Sequence, residues 1–348
     1  MVSETPNSPL ALLPERHPQH ELFICDVADA VLKDVMAHME HPFYSLSKKP
    51  DTAVRRYEQN GNWIEITPSV KGLATIYDKD ILIYCISQMM AKLRNQEKVS
   101  QRVRISSRDL LIFTNRGTAG KDYKALVESL DRLEGTRIRT NVVTGTEEQI
   151  DGFGLIEASA IRRKRGLDGR LLYCEIKLSD WVFNAVRHNE VLTLHRDYFR
   201  LRRPIERRVY ELARKHCGSQ PLWKVSVQIL LKKSGSKSSE REFRRSLREL
   251  AASDHLPDYH VTFDGKEDMV SFQNKGTMKT SGTDLERWNG FLGVEAHNEA
   301  RRHAPGWDPY YLEQEWRMWL RQNEIVPRHP DKHFVSFCQS WFEKRGRP

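Results

Sequence analysis

One ordered series of elements occurs twice in this chain, and that repetition limits the folds open to it more than any other feature. Asp78 is placed to cap a long helix whose inward face carries Ile81, Leu82, Cys85, Ile86, Met89, Met90 and Leu93, ending near Asn95. A β-prone piece over 103–105 leads to Ser106, which can cap a helix with Leu110, Leu111 and Phe113 inward. The turn Arg116-Gly117-Thr118-Ala119-Gly120 follows, and then Tyr123, Leu126, Val127, Leu130 and Leu133 mark one face of a helix that stops at Gly135. Alternation predicts a hairpin from strands at 137–143 and 153–162. Helix, short strand, helix, turn, helix and hairpin is the order of a winged helix-turn-helix.

The order returns after residue 200. Pro204 opens a helix with Ile205, Val209, Tyr210, Leu212 and Ala213 inward, closed by Cys217-Gly218, and a strand-like piece follows at 222–225. Ser226 caps a helix with Val227, Leu230 and Leu231, the loop 234–238 turns, and Ser239-x-x-Glu242 is a capping box that fixes where the next helix begins. Residues 260–263 and 269–272, around Asp264-Gly265, predict a second hairpin with a two-residue turn.

The expected fold is therefore α+β, mainly α: two tandem winged-helix domains, over 21–190 and 191–275, and a small helical C-terminal module. Prolines at 6, 9, 14 and 18 mark residues 1–20 as a flexible N-terminal arm. Val27, Val31, Val35 and Met39 recur at helical spacing over 26–40, and 63–67 alternates as a strand does. The Gly, Ser and Thr of 276–283 read as a linker. Beyond it Trp288, Trp307, Trp316, Trp319 and Trp341, five of the eight tryptophans, set residues 284–348 apart as a helical Trp-rich module. A chain of 348 residues has length enough for two or three separate cores.

Charge suggests the partner. Lys and Arg number 56 against 47 Asp and Glu, a formal +9 with an isoelectric point near 9.2, so a polyanion is the first ligand to consider. The five cysteines are scattered, with no Cys-x-x-Cys pair, which suggests neither a disulfide framework nor a zinc site and fits a reducing cytoplasm. No apolar run approaches the ~20 residues that cross a bilayer, so a cytoplasmic protein with no membrane partner is expected.

The helix over 240–254 has two faces. Phe243, Leu247, Leu250 and Ala251 face a core, while Arg241, Arg244, Arg245 and Arg248 project outward from its N-terminal half. That division suits a major groove, where an Arg fork donates two hydrogen bonds to guanine O6 and N7. Lys232, Lys233, Lys237 and Ser238 around the turn, and Lys266 at the hairpin tip, suit phosphates, which position a protein without reading sequence. The equivalent helix of the first module presents Lys121 and Lys124 but also Glu128, Asp131 and Glu134, so its charges largely cancel and backbone contact or protein pairing is expected there. Arg162, Arg163, Lys164 and Arg165 form a basic wing able to reach a backbone or minor groove.

Catalytic patterns are poorly represented. Gly117-Thr118-Ala119-Gly120-Lys121-Asp122 has the wrong spacing for a phosphate-cradling loop and ends in an acid. A rolling-circle nickase needs a His-hydrophobic-His strand, which neither His17/His20 nor His38/His41 supplies, and Pro42 stops the helix that a metal pair at 38 and 41 would need. No enzyme activity, cofactor or metal is expected.

The stretch 191–218, opening Val191-Leu192-Thr193-Leu194-His195 and running through Pro204-Ile205-Glu206-Arg207-Arg208 to Cys217-Gly218, resembles the plasmid replication initiator protein A family. Tyr84-Cys85-Ile86, Trp181-Val182-Phe183 and the Phe243-Arg244-Arg245-Ser246-Leu247 helix share the resemblance, which spans about residues 21–280. It implies sequence-specific binding to double-stranded plasmid origin DNA at repeated sites, strand opening, recruitment of host replication proteins and a homodimeric form. The tail, from Pro305-Gly306-Trp307 to Trp341, loosely resembles small helical modules of primosomal and helicase-loading proteins, which implies a host helicase or initiator as its partner. The competing expectations are a winged-helix transcriptional repressor with no replication role and a DNA nickase or nuclease.

Overall fold

The computed structural model describes residues 12–17, 32–47, 49–59, 61–94, 96–144, 152–163, 171–218, 220–278, 292–322, 327 and 329–346. The chain divides into two compact units, Met1–Phe272 and Gln273–Pro348.

Residues 12–17, expected to be part of a flexible arm, are docked on the first unit. The Leu13 N–H donates to the Arg200 carbonyl at 2.8 Å, Arg200 Nε returns a bond to the Leu13 carbonyl at 2.7 Å, and the Arg16 N–H donates to Asn115 at 2.8 Å. Of the helix expected over 26–40, residues 26–31 lie outside the described residues, Lys33–Val35 is a strand, β1, and Met36–Glu40 is helical, α1. The reason is long-range pairing: β1 lies antiparallel to Val191–Thr193, and the Met36 N–H donates to the Glu190 carbonyl at 3.0 Å.

Strands β2 (Arg55–Gln59) and β3 (Asn62–Thr67) form a hairpin, and after it come α2 (Lys79–Arg94), β4 (Arg102–Ser106), α3 (Ser107–Phe113) and α4 (Gly120–Gly135). Ser106 caps α3, its side chain accepting from the Asp109 N–H. The expected hairpin of 137–143 with 153–162 forms only where 137–138 meets 153–154. Strand β5 (Arg137–Thr140) pairs with β3 and with the short β6 (Phe153–Gly154), completing a four-stranded sheet in the order β2-β3-β5-β6. The hairpin that follows α4 is instead β7 (Ile156–Arg163) with β8 (Leu171–Leu178), a strand unforeseen in the sequence, and β4 joins it in a three-stranded sheet β4-β8-β7. Burial selects this register, because Ile138 fits under β3 beside Ile64 and Ile66, all three fully enclosed.

Helix α5 (Asp180–Arg187), strand β9 (Val191–Thr193) and a 3-10 turn at Arg196–Arg200 lead into the second occurrence of the order. It comprises α6 (Pro204–His216), β10 (Leu222–Ser226), α7 (Val227–Ser234), α8 (Glu240–Ser253), β11 (Tyr259–Asp264) and β12 (Met269–Asn274), with strand order β10-β12-β11. The turn between β11 and β12 is longer than the two residues expected, and Asp268 in it takes a left-handed φ of 52°.

Separate cores for the two modules were expected, but one continuous hydrophobic cluster runs from Leu32 to Phe272. Helix α6 also buries charge against the first half of the unit. Lys79 Nζ lies 2.5 Å from Asp34 and 2.9 Å from Glu211, all three side chains being inaccessible. Arg207 pairs with Asp80 at 2.7 Å and donates to the carbonyls of Phe199 and Leu201. Arg208 pairs with Glu211 at 3.1 Å and donates to the carbonyls of Met39 and Lys233. Isolated, each such charge would cost several kcal/mol to bury. Burial works against the Asp34 carboxylate, yet Lys79 and His38 hold it below the usual range, while burial pushes His38 down.

In the second unit Lys275–Met278 forms a short helix, α9, and the rest of the expected linker, 279–283, lies outside the described residues. Helices α10 (Val294–His303), α11 (Pro309–Gln322) and α12 (Pro330–Arg345) close on Ala300, Leu312, Trp316, Phe334 and Cys338. Among the described residues no helix is long and apolar enough to cross a membrane.

Candidate nucleic-acid interface

Helix α8 starts where its capping box places it. Ser239 Oγ accepts from the Glu242 N–H at 3.3 Å, and the Glu242 carboxylate accepts from the Ser239 N–H at 3.0 Å. The preceding turn is pressed against the first half of the unit. Gly235 there has φ 67°, and a Cβ would come within 2.5 Å of Pro42, so only glycine fits. Phe243, Leu247 and Leu250 are buried, which turns Arg241, Arg245 and Arg248 to solvent on the opposite face.

The four arginines are not equivalent. Arg245 is 71% exposed, with Glu249 3.8 Å away. Arg248 holds its guanidinium 4.9 Å over the Phe263 ring, against β11. Arg244 is committed elsewhere: Nε and one terminal nitrogen grip Asp268 at 2.8 and 2.9 Å, and Glu240 accepts from it at 2.8 Å. The hydrogen bond from Arg244 holds Asp268 below the usual carboxylate range. The expected base reader is thus a strut that fixes the β11-β12 turn to α8, leaving three arginines on the open face.

The lysines divide similarly. Lys232, Lys266 and Ser238 are exposed. Lys233, expected at a phosphate, is turned inward, 2.6 Å from Glu40 and 3.2 Å from His216 Nε2. Burial raises the Glu40 carboxyl, but hydrogen bonds from His216 and Lys233 hold it well below its usual range. Lys237 pairs with Asp51 at 2.8 Å while staying 59% exposed. Partial burial opposes ionisation of Asp51, but Lys237 and Arg55 together lower it to about 2.

On α4, Lys121 and Lys124 are exposed, whereas two of the three acids that were expected to cancel them are engaged. Asp131 is bonded by Lys71, and Glu134 accepts from Ser159 Oγ at 2.8 Å. Asp78, expected to cap α2, instead takes both bonds of the Arg132 fork at 2.8 Å. Arg162 is exposed near the end of β7. Of the remaining wing residues, Arg163 ends the strand, and Lys164 and Arg165 lie outside the described residues. Two cations escaped the sequence reading: Arg102 and Arg104 are exposed on β4, with Arg104 stacked 3.7 Å over Tyr173. Their alternation with Val103 and Ile105 is the signal that could have found them.

Among the described residues, no group of three or more His, Cys, Asp or Glu is placed to hold a metal. Residues 33–261 match the model of the family described as Replication initiator protein A. This chain belongs to that family. The initiator is 36% identical over 258 residues to a candidate replication protein of Wigglesworthia glossinidia brevipalpis, an alignment covering 73% of this chain and 94% of that one. Domains 2 and 3 of RctB share the fold of this initiator at a TM-score of 0.51 and 14% identity, over 69% of this chain and 98% of theirs. The Pi initiator protein, solved in complex with iteron DNA, aligns at a TM-score of 0.40 and 16% identity, over 58% of this chain and 92% of that one. The family match takes in α2 through α8, so the exposed arginine face lies within the matched residues.

Proposed function

We propose that the initiator binds repeated duplex sites in a plasmid origin through two winged-helix modules. Helix α8 enters the major groove with Arg241, Arg245 and Arg248, and Arg244 holds the hairpin in place as a wing. Lys232, Lys237, Ser238 and Lys266 contact phosphates. In the first module Lys121, Lys124 and the 162–165 wing hold the backbone, or pair two copies when the protein is off DNA. The observation that carries this reading is an open arginine face on a capped helix whose flanking turn and hairpin are both anchored.

Origin opening then draws on binding energy rather than on a catalysed step. Bending a site by ~40–90° costs on the order of 1–6 kcal/mol, which added backbone contacts can offset. The C-terminal unit captures a host helicase or initiator, and its attachment beyond β12 raises the partner's effective concentration at the origin.

A chain truncated at Gly282 tests both halves of the proposal. It is expected to bind origin duplex with unchanged affinity in a gel-shift assay and to fail to support plasmid replication. Normal replication by the truncated chain would remove the recruitment role and leave a repressor-like binder. Nicking of supercoiled plasmid by the intact protein with magnesium would replace the non-catalytic reading with a nuclease.

A further inference from the structure

We propose that the groove between α11 and α12 of the C-terminal unit binds single-stranded DNA, a site outside the residues that match the family. The groove has a volume of about 860 Å³. Trp319 of α11 forms one side, and His333, Phe337 and Trp341, four residues apart on α12, form the other. Trp319 lies 6.0 Å from Phe337, and Phe337 5.6 Å from Trp341, so three rings follow one another along the groove. Arg345 places its guanidinium 3.9 Å over Trp341.

Phe337 and Trp341 pack against the core but stay partly accessible, and none of the three rings is enclosed by it. Trp316 is, with no exposed surface, and its indole N–H donates to His333 Nδ1 at 2.9 Å. Burial lowers the pKa of His333, and this bond leaves the ring proton on Nε2. Trp319, by contrast, is 37% exposed, and Phe337 and Trp341 are half-buried.

The chemistry of the walls selects the ligand. Among the described lining residues every apolar side chain is aromatic, with no Leu, Ile, Val or Met. A groove for an amphipathic helix offers a continuous hydrophobic floor. A single strand instead presents flat base faces separated by phosphates, and it is held by stacked rings with cations beside them. Lys332, Lys344 and Arg345 supply those cations against Glu315, and Ser336 and Ser340 add hydroxyls. A duplex hides its base faces, so this surface favours a strand already separated. Its use in holding an opened origin rests on the origin-binding reading above; the binding itself does not.

The test is fluorescence anisotropy of a labelled 16-residue thymidine oligonucleotide with the full chain. Trp319→Ala is expected to weaken binding about tenfold, the order measured for one stacked base, and Trp319→Phe to restore most of it. Lys332→Glu with Lys344→Glu should weaken it at least as much, and both sets should leave origin-duplex binding unchanged. Replacing the bases by abasic sites should cost as much as Trp319→Ala. Should Trp319→Ala unfold the unit, the lysine pair carries the test, because both residues are exposed. Unchanged single-strand affinity in the lysine variant overturns the proposal. So does polyglutamate competing as well as the thymidine strand, which would make the groove a surface for an acidic protein.

Discussion

Helices α4 and α8 occupy the same place in the same order of elements, yet they offer a ligand different chemistry. Each buries one face at matched spacing, Leu126, Leu130 and Leu133 on α4 and Phe243, Leu247 and Leu250 on α8. On α8 the acids are consumed: Glu242 in the cap, Glu240 by Arg244, and Glu249 by Arg203 at 2.6 Å. Guanidinium forks remain outside. On α4 both signs are consumed, Asp131 by Lys71 and Arg132 by Asp78, and two ammonium groups remain beside the Glu128 carboxylate. A fork matches a guanine edge, whereas an ammonium is a point charge suited to phosphate. Position in the fold makes a helix available, and the ion pairs around it decide what it can recognise.

The largest expected effect would break this contrast at its centre. Arg241→Ala with Arg245→Ala should reduce affinity for cognate duplex by about 100-fold, at ~1–3 kcal/mol per bidentate contact, and affect random duplex far less. Equal losses on both would move these residues to phosphates. Next in size is the acid response of the segment on which the α7-α8 turn rests. Burial lowers His41 to about 4, so the unfolded chain takes up a proton near pH 6.5 that the folded chain refuses until about pH 4. The stabilisation is complete above pH 6.5 and is lost as pH falls towards 4. Denaturant titrations at pH 7 and pH 5 should differ by about 1–2 kcal/mol, and His41→Gln should shrink that difference.

Lys121→Ala with Lys124→Ala should weaken binding roughly tenfold on any sequence and lower the salt slope by about 2, one ion release per lost phosphate contact. A change in sequence preference would give α4 a reading role and erase the contrast. The smallest effect concerns the strut. Arg244→Lys keeps the charge but loses the two-pronged grip on Asp268, and a few-fold loss of affinity is expected, with Asp268→Asn reproducing it. Additive losses in the double variant would show that the two side chains act separately.

Local signals in the sequence were dependable where they were chemically complete. Ser239 and Glu242 place the start of α8, and the apolar faces of α2 and α4 predict helices that form within a residue or two. Pairing across distance was not legible. Alternation marks β5 as a strand but cannot say that it joins β3 rather than β7. Strand β8 alternates Cys174, Ile176 and Leu178 with Tyr173, Glu175 and Lys177, a strand signal set directly after a basic stretch. At the site, the arginine face was visible as a face. That Arg244 and Lys233 are committed depends on Asp268 and Glu40, which only folding brings near them.

The buried charges along α6 bear on how portable the DNA-reading half can be. Two similar modules in one chain look like interchangeable cassettes, but this boundary cannot be cut cleanly. Moving residues 204–274 into another protein would strip Arg207 of Asp80 and of the Phe199 and Leu201 carbonyls, take the Met39 carbonyl from Arg208, and remove Glu211 from Lys79 in the remainder. A buried ion that loses its partner costs about 3–5 kcal/mol. A lineage that exchanged its recognition helix would therefore have to keep α6 and exchange only the outward face of α8. New specificities in such a protein should arise by substitution on that face and seldom by shuffling of domains.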